Sequence, residues 1–174
     1  MNLIRLLPLG DADPRIVEGL RSPLHETFRI PVEVTHATID VERFYSKARG
    51  QYNSTSILCH LRDEQGESKV LAVLSGDLFI PILTFVFGEA ELGGNAAVIS
   101  YHRLQNERYG LPANPDLLMD RVCKEAVHEL GHAYGLKHCA LRGCVMHAST
   151  YVEDIDLKGR GFCEGCLAHT LRAF

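Results

Sequence analysis

The sequence predicts a mixed α/β (α+β) fold in which a twisted mixed sheet packs against one long helix, followed by a short cysteine-rich C-terminal subdomain. Three observations predict it. Apolar strand-like and amphipathic helix-like segments alternate from the N-terminus onward. A single helix between Asn114 and Gly135 carries clear start and stop signals. Four of the six cysteines fall in the last third of the chain. At 174 residues and 46% hydrophobic content the chain has the length of one domain with one core. It divides into a sheet-and-helix part over 1–135 and a small subdomain over 136–174.

The elements follow in order. Asn2 to Leu9 reads as a strand, and Pro14 to Phe28 as a helix with Asp13 as N-cap ahead of Pro14 at the first position. Pro31 to Ile39 resumes strand character. Ser54 to Leu61, Lys69 to Leu74, Thr84 to Leu92 and Ala96 to Leu104 are rich in β-branched, Leu and aromatic residues, which predicts four more strands. Gly-Gly-Asn at 93–95 supplies a hairpin turn between the last two. Asn114 caps the long helix, Pro115 opens it, and Leu118, Val122, Ala126 and Leu130 define its apolar face. Beyond Gly135 the chain looks irregular. Cys59 in a strand and Cys123 in the helix have no nearby partner cysteine and are expected in the core.

Charge and hydropathy narrow the classes of function. The formal net charge is -4 and the pI about 6.1, so no broad positive field exists for nucleic acid or an anionic membrane surface. The basic cluster from Lys158 to Arg160 reads as solvated surface. Arg5 and Pro8 interrupt the apolar N-terminus, which therefore does not read as a signal peptide. The apolar stretch from Asp77 to Gly88 contains Pro81 and is too short to span a bilayer. The expectation is a cytoplasmic, monomeric protein with no membrane or nucleic-acid partner, whose cysteines serve as thiols or metal ligands rather than disulfides.

The last turns of the long helix carry His128-Glu129-Leu130-Gly131-His132. Residues four apart lie above one another on one helix face, so His128 and His132 converge on one ion. Glu129 follows the first ligand directly, a position suited to a base rather than a ligand. Gly135 can turn the chain with positive φ and present His138 as a third ligand. A bare His-Glu-x-x-His occurs by chance; the extension to x-x-Gly-x-x-His is specific. Three imidazoles leave one zinc position open, as in catalytic sites. Zinc lowers the pKa of bound water from 15.7 toward roughly 7, where Glu129 can take the proton and later return it to a leaving amine. Amide hydrolysis fits this set best.

Cys139, Cys144, Cys163 and Cys166 form two close pairs, a closed tetrahedral set suited to structural zinc. Their spacing leaves an iron–sulfur cluster open, while a redox Cys-x-x-Cys lacks the strand-to-helix setting it needs. Adjacent side chains of an extended segment point to opposite sides, so His138 and Cys139 should serve two separate metals. The cysteine site would then brace the segment that carries His138.

With Met146 included, these residues resemble the archaemetzincins, a branch of the metzincin metallopeptidases whose pattern joins the three-histidine motif to Cys-x4-Cys-x-Met and a distal Cys-x-x-Cys. Less specific similarity extends through Gly-Asp-Leu-Phe at 76–79, Phe-Gly-Glu-Ala at 87–90 and Ser-Tyr-His-Arg-Leu at 100–104. The resemblance implies a compact metzincin-like domain with two zinc ions. The catalytic zinc lies on His128, His132 and His138, with Glu129 as catalytic carboxylate and Met146 in the turn beneath the metal. The structural zinc lies on Cys139, Cys144, Cys163 and Cys166. It also implies peptide binding along an antiparallel edge strand near Phe87 to Leu92, and an electrophilic helper at His147 or Tyr151.

The expected function is a zinc metallopeptidase acting on peptide or protein substrates, with aminopeptidase and endopeptidase action both open. The alternative is a catalytically silent, zinc-stabilised peptide-binding protein. Glu129 discriminates between them, because a silent site has no need of a carboxylate beside an open metal position.

Overall fold

The computed structural model describes residues 3–37, 39–64 and 68–170. Its strands are β1 (Ile4–Leu9), β2 (Val32–Val34), β3 (Tyr45–Ser46), β4 (Gln51–Asn53), β5 (Lys69–Leu74), β6 (Leu78–Phe79), β7 (Gly88–Ala90) and β8 (Ala96–Ser100). Its helices are α1 (Pro14–Gly19), α2 (Arg21–Phe28), α3 (Ser54–Glu64), α4 (Pro115–Ala133), α5 (Val152–Leu157) and α6 (Glu164–Thr170). The main sheet has the order β2-β1-β5-β8-β7, parallel except for β7, which pairs antiparallel with β8 and forms one edge. A smaller sheet has the order β3-β4-β6. No helix among the described residues is long and apolar enough to cross a membrane.

The central strands are apolar on both faces because both faces are covered. Ile4, Leu6, Leu71, Val73, Ala97 and Ile99 pack toward α1, α2 and α4. Leu7, Leu9, Val70, Ala72, Leu74 and Val98 pack toward α3. The alternation within each strand thus assigns its side chains to two cores.

The segment from Ser54 to Leu61, expected as a strand, is instead helix α3. Asn53 Oδ1 accepts the Ser56 N–H at 3.0 Å, a helix-capping contact that strand geometry does not use. Ile57, Leu58 and Leu61 then recur at helical spacing and are buried, whereas Thr55, Ser56 and Cys59 face solvent. Cys59 is therefore a surface residue rather than a core one, while Cys123 is buried as expected.

The helix expected over Pro14 to Phe28 divides at Leu20 into α1 and α2. Pro23 has no N–H to return to the Gly19 carbonyl, so the regular ladder is interrupted at the junction. The strands expected over 31–39, 84–92 and 96–104 are present in shortened form as β2, β7 and β8. Asn2 and Thr38 of the expected strands, and 171–174 of the expected C-terminal subdomain, lie outside the described residues. Gly93 at φ +69° makes the turn between β7 and β8.

Helix α4 begins as expected, with Asn114 Oδ1 accepting the Leu117 N–H at 3.0 Å and Pro115 next. Gly135, at φ +89°, turns the chain past its end. The apolar face at Val122, Ala126 and Leu130 enters the main core. The segment after Gly135 is less irregular than expected, since it contains α5 and α6 and sends Cys144, Val145, Met146, Val152 and Ile155 into that same core.

The opposite, polar side of α4 is also buried. Arg121 donates two 2.7 Å bonds to Asp156, and Lys124 donates to Ile155 O at 3.0 Å. Lys158, expected as solvated surface, has a fully buried side chain with its Nζ 2.9 Å from the Glu125 carboxylate. Arg160 in the same basic cluster pairs with Asp120 on α4 at 2.5 Å. These contacts clamp the C-terminal segment over the helix that carries the histidines.

Candidate metal centre

The last two turns of α4 place His128 and His132 above one another, and the turn at Gly135 brings His138 back toward them. Their ring centroids lie 4.7, 4.9 and 5.3 Å apart, and one ring nitrogen from each falls within 4.8 Å of the other two. Backbone carbonyls orient two of the rings. His128 Nδ1 lies 2.8 Å from Val145 O, and His132 Nδ1 lies 2.7 Å from Leu136 O. A carbonyl can only accept, so each Nδ1 carries the proton and each neutral ring presents a bare Nε2 lone pair.

The two Nε2 atoms face each other at 3.2 Å. Two lone pairs at that distance repel unless a cation lies between them. Burial, reinforced by the Lys158 charge, pushes the His128 pKa well below its ordinary value. Burial is also the largest cause of the downward shifts at His132 and His138. All three imidazoles are thus held in the neutral, ligand-competent form. Neutral rings, N–H groups tied to carbonyls and converging lone pairs are the donor arrangement of metal-binding histidines.

Glu129 projects beside them. Its side chain is buried and its Oε2 has no hydrogen-bond partner. Burial pushes the carboxyl well above the usual carboxylate range; the Glu125 charge adds to this and Lys158 opposes it. Gly88 on edge strand β7 lies against this carboxylate. A Cβ there would stand 2.7 Å from Glu129 Cγ and 2.8 Å from both Glu129 Oε1 and Val98 O. Position 88 therefore has room only for glycine.

The cleft runs past the histidines on both sides. One cavity of ≈ 520 Å³ is lined by 83–88, α4 and 148–151. Another of ≈ 370 Å³ is lined by residues between Gly88 and Leu92. His128, Glu129 and His138 line both, so they stand where the two cavities meet.

The second cluster lies behind His138. One sulfur from each of Cys139, Cys144, Cys163 and Cys166 falls within 4.8 Å of the others, and no disulfide forms among the described residues. The Cys166 backbone N–H is the largest influence on the Cys163 thiol and helps bring its pKa to about 7, while burial pushes Cys144 up. Four thiols at these separations match a closed tetrahedral sulfur set. Adjacent His138 and Cys139 join different clusters, as their alternation predicts.

Residues 144–146 connect the two clusters. Cys144 belongs to one, Val145 O receives the proton of His128 Nδ1, and Met146 O accepts the Cys139 N–H at 2.9 Å. Met146 is fully buried under α4, where a side chain at Gly131 would collide with its Sδ. Of the two expected helper residues, His147 Nδ1 is engaged with Cys139 O at 2.9 Å, whereas Tyr151 is exposed and lines the larger cavity.

Sequence reasoning missed Gly88, Glu125, Ser149 and Lys158. Gly88 falls in the less specific run at 87–90 and the other three in none, and Gly88 and the Glu125–Lys158 pair acquire their places through contact between distant segments. A lysine in a short basic run carries no signal that it will be sealed against a helix glutamate.

Residues 15–172 match the model of peptidase family M54. The chain is 43% identical over 164 residues to the archaemetzincin of Methanocaldococcus jannaschii, covering 94% of this chain and 90% of that protein. It superposes on the crystal structure of the Methanopyrus kandleri archaemetzincin with a TM-score of 0.85 at 37% identity, covering 98% of this chain and 94% of the other. A zinc-dependent peptidase from Methanocorpusculum labreanum superposes with a TM-score of 0.87 at 29% identity, covering 96% and 99%.

Proposed function

Since the chain belongs to peptidase family M54, the archaemetzincins, and is a zinc metallopeptidase, we propose that His128, His132 and His138 hold its catalytic zinc and that Glu129 is its proton carrier. The observation that carries this reading is the pair of bare Nε2 atoms facing each other at 3.2 Å beside a buried carboxylate whose Oε2 lacks a partner. Zinc bound there would supply Lewis acidity, polarising a substrate carbonyl and lowering the pKa of a water molecule toward roughly 7.

Glu129 accepts the proton of the attacking water at its unpartnered Oε2 and returns it to the leaving amine. Val145 O and Leu136 O hold the imidazoles in the required tautomer. The free edge of β7 binds the peptide backbone by strand addition, which fixes the chain without strong sequence preference. Tyr151 is the better placed of the two candidate helpers to donate to the developing oxyanion, since His147 is tied to Cys139 O. Cys139, Cys144, Cys163 and Cys166 hold a second, structural zinc. The silent peptide-binding alternative is not favoured: burying an unpaired carboxylate is costly and is of no use to simple capture.

The test joins metal analysis to unbiased digestion of a peptide library. The expected result is about two zinc ions per chain, cleavage lost when the more labile ion is removed and restored when zinc is returned. Cleavage positions separate aminopeptidase from endopeptidase action. Failure of the fully zinc-loaded protein to cut any peptide would refute the activity; iron, or a single zinc, would refute the two-site assignment.

Gly88→Ala offers a second check. The added methyl has to displace the Glu129 side chain or the β7–β8 pairing. A displacement on the order of 1 Å costs about 10²-fold in rate. The expected outcome is that loss in kcat/KM with zinc content unchanged. Full activity in this variant would show that the position of Glu129 does not limit catalysis.

A further inference from the structure

A cavity of ≈ 570 Å³ opens where the turn after β3, the start of β6 and the segment following β8 meet. Its walls carry Arg49, Arg103 and Arg108 and one carboxylate, Asp77. Arginine is always charged, so three guanidinium groups against one carboxylate leave two positive charges in excess. They gather in a chain whose net charge is -4. Like charges repel, and nothing else lining the cavity offsets them.

Asp77 is already fully engaged. Its Oδ1 and Oδ2 accept Arg103 Nε and Nη2 at 2.7 Å each, and Oδ2 also accepts Gln51 Nε2 at 2.9 Å. Arg103 lies over the Phe85 ring at 4.1 Å, and Arg49 over the Phe79 ring at 4.1 Å. Arg49 Nε donates to Gln51 Oε1 at 3.2 Å, and its Nη2 donates to Leu83 O at 2.7 Å. Two guanidinium groups are thus fixed in place, while the Nη1 of each has no partner among the described residues. The Arg108 guanidinium, on the exposed turn Asn106–Tyr109, makes no hydrogen bond or ion pair among them. His102 lines the same cavity and registers its field: burial pushes its pKa down, the Arg108 charge adds to this and Asp77 opposes it.

We propose that this cavity is a binding site for a phosphate group, held by Arg49, Arg103 and Arg108. Guanidinium groups match phosphate oxygens with paired donors, and a phosphate dianion matches the excess of two charges. Holding two of the three groups in advance lowers the ordering cost of binding. The positive field is confined to one concavity of an acidic chain, so the occupant is a small phosphate, free or esterified, rather than a long polyanion. No residue of this cavity belongs to the histidine or cysteine cluster, and Thr84 alone is shared with the cavity beside Glu129. The site is therefore independent of the chemistry proposed for the histidines.

The test is calorimetric titration of the zinc-loaded protein with inorganic phosphate and, separately, with glycerol 3-phosphate, at a fixed ionic strength of about 0.15 M. Saturable binding is expected with Kd on the order of 1 mM or tighter, the affinity of a few charge-assisted hydrogen bonds. The tighter of the two ligands tells whether the site takes the free or the esterified group. Zinc itself can attract phosphate, so the location is decided by two further measurements. Arg108→Met, which removes an exposed and unpaired charge, should weaken binding roughly tenfold, whereas the charge-matched control Arg29→Met, outside the cavity, should not. The His102 imidazole signals should shift in NMR spectra as phosphate is added. Absence of saturable binding overturns the proposal. So does binding that Arg108→Met leaves unchanged, that both variants weaken equally, or that leaves the His102 signals unmoved.

Discussion

Glu129→Gln protein is expected to retain its zinc and to lose about 10²- to 10⁴-fold in kcat/KM, the range contributed by a positioned proton carrier. In free energy this is about 3–5 kcal/mol of lost transition-state stabilisation. Glutamine fills the same volume and makes no change at His128, His132 or His138, so the metal site should be unaltered. What it lacks is a group that can accept and return a proton.

The same substitution carries an independent signature in stability. Burial raises the Glu129 pKa well above its ordinary value, so its ionised form is penalised in the folded protein. A group whose folded pKa is raised loses stabilisation as pH climbs through that value, because the unfolded chain ionises more easily. Neutral glutamine removes the penalty. Metal-free Glu129→Gln protein should therefore be at least as stable as metal-free wild type above the ordinary carboxylate range, with the gap widening as pH rises. Thermal unfolding of both at several pH values measures this. Equal turnover by the two zinc-loaded proteins would sink the proposed mechanism, whatever the stability result.

The part of the site legible in the sequence is the part built from local spacing. His128 and His132 meet because they are four apart on a helix, and His138 follows because Gly135 adopts the positive φ its position predicts. The separation of His138 from Cys139 follows from extended-chain alternation. The punctuation of α4 by Asn114 and Pro115 was equally local. The long apolar strands β1 and β5 were legible too, since nearly continuous burial leaves little ambiguity.

What local spacing could not convey is the second burial surface of α4. Arg121, Lys124 and Glu125 lie off the apolar face that the spacing marks, yet each is buried because α5 and Lys158 fold back over them. The misreading of Ser54 to Leu61 has a related cause. Ile57, Leu58 and Leu61 fit both a short strand and one helix face, and the capping contact from Asn53 resolves the choice. Gly88 is the clearest case: its requirement comes from Glu129, forty-one positions away.

Loss of one cluster cysteine is expected to weaken the histidine site it never touches. Cys163→Ser is the suitable variant, because Cys163 is only half-buried and contributes less to the core than Cys144. Serine is a poor substitute for a thiolate ligand, so the proposed structural zinc should be lost from the protein or held much less tightly. Residues 144–146 then lose their anchor on one side. Those residues set the carbonyl that fixes the His128 tautomer, the carbonyl that accepts the Cys139 N–H beside His138, and the buried Met146 beneath Gly131. Disturbing groups that orient ligating histidines typically costs 10- to 100-fold in metal affinity. Competition with a calibrated chelator should therefore show the remaining zinc bound about 10- to 100-fold more weakly than in the wild type, together with a lower unfolding temperature. Cys59→Ser, on the exposed face of α3 and outside both clusters, serves as the control and should alter neither quantity. If Cys163→Ser loses one zinc but binds the other with wild-type affinity, the two clusters are independent and the bracing role of residues 144–146 is wrong. If it keeps both, the cysteine cluster is not a metal site. The coupling matters for function because the short segment that carries His138, the proposed third ligand, keeps it in place only while its own shape is fixed.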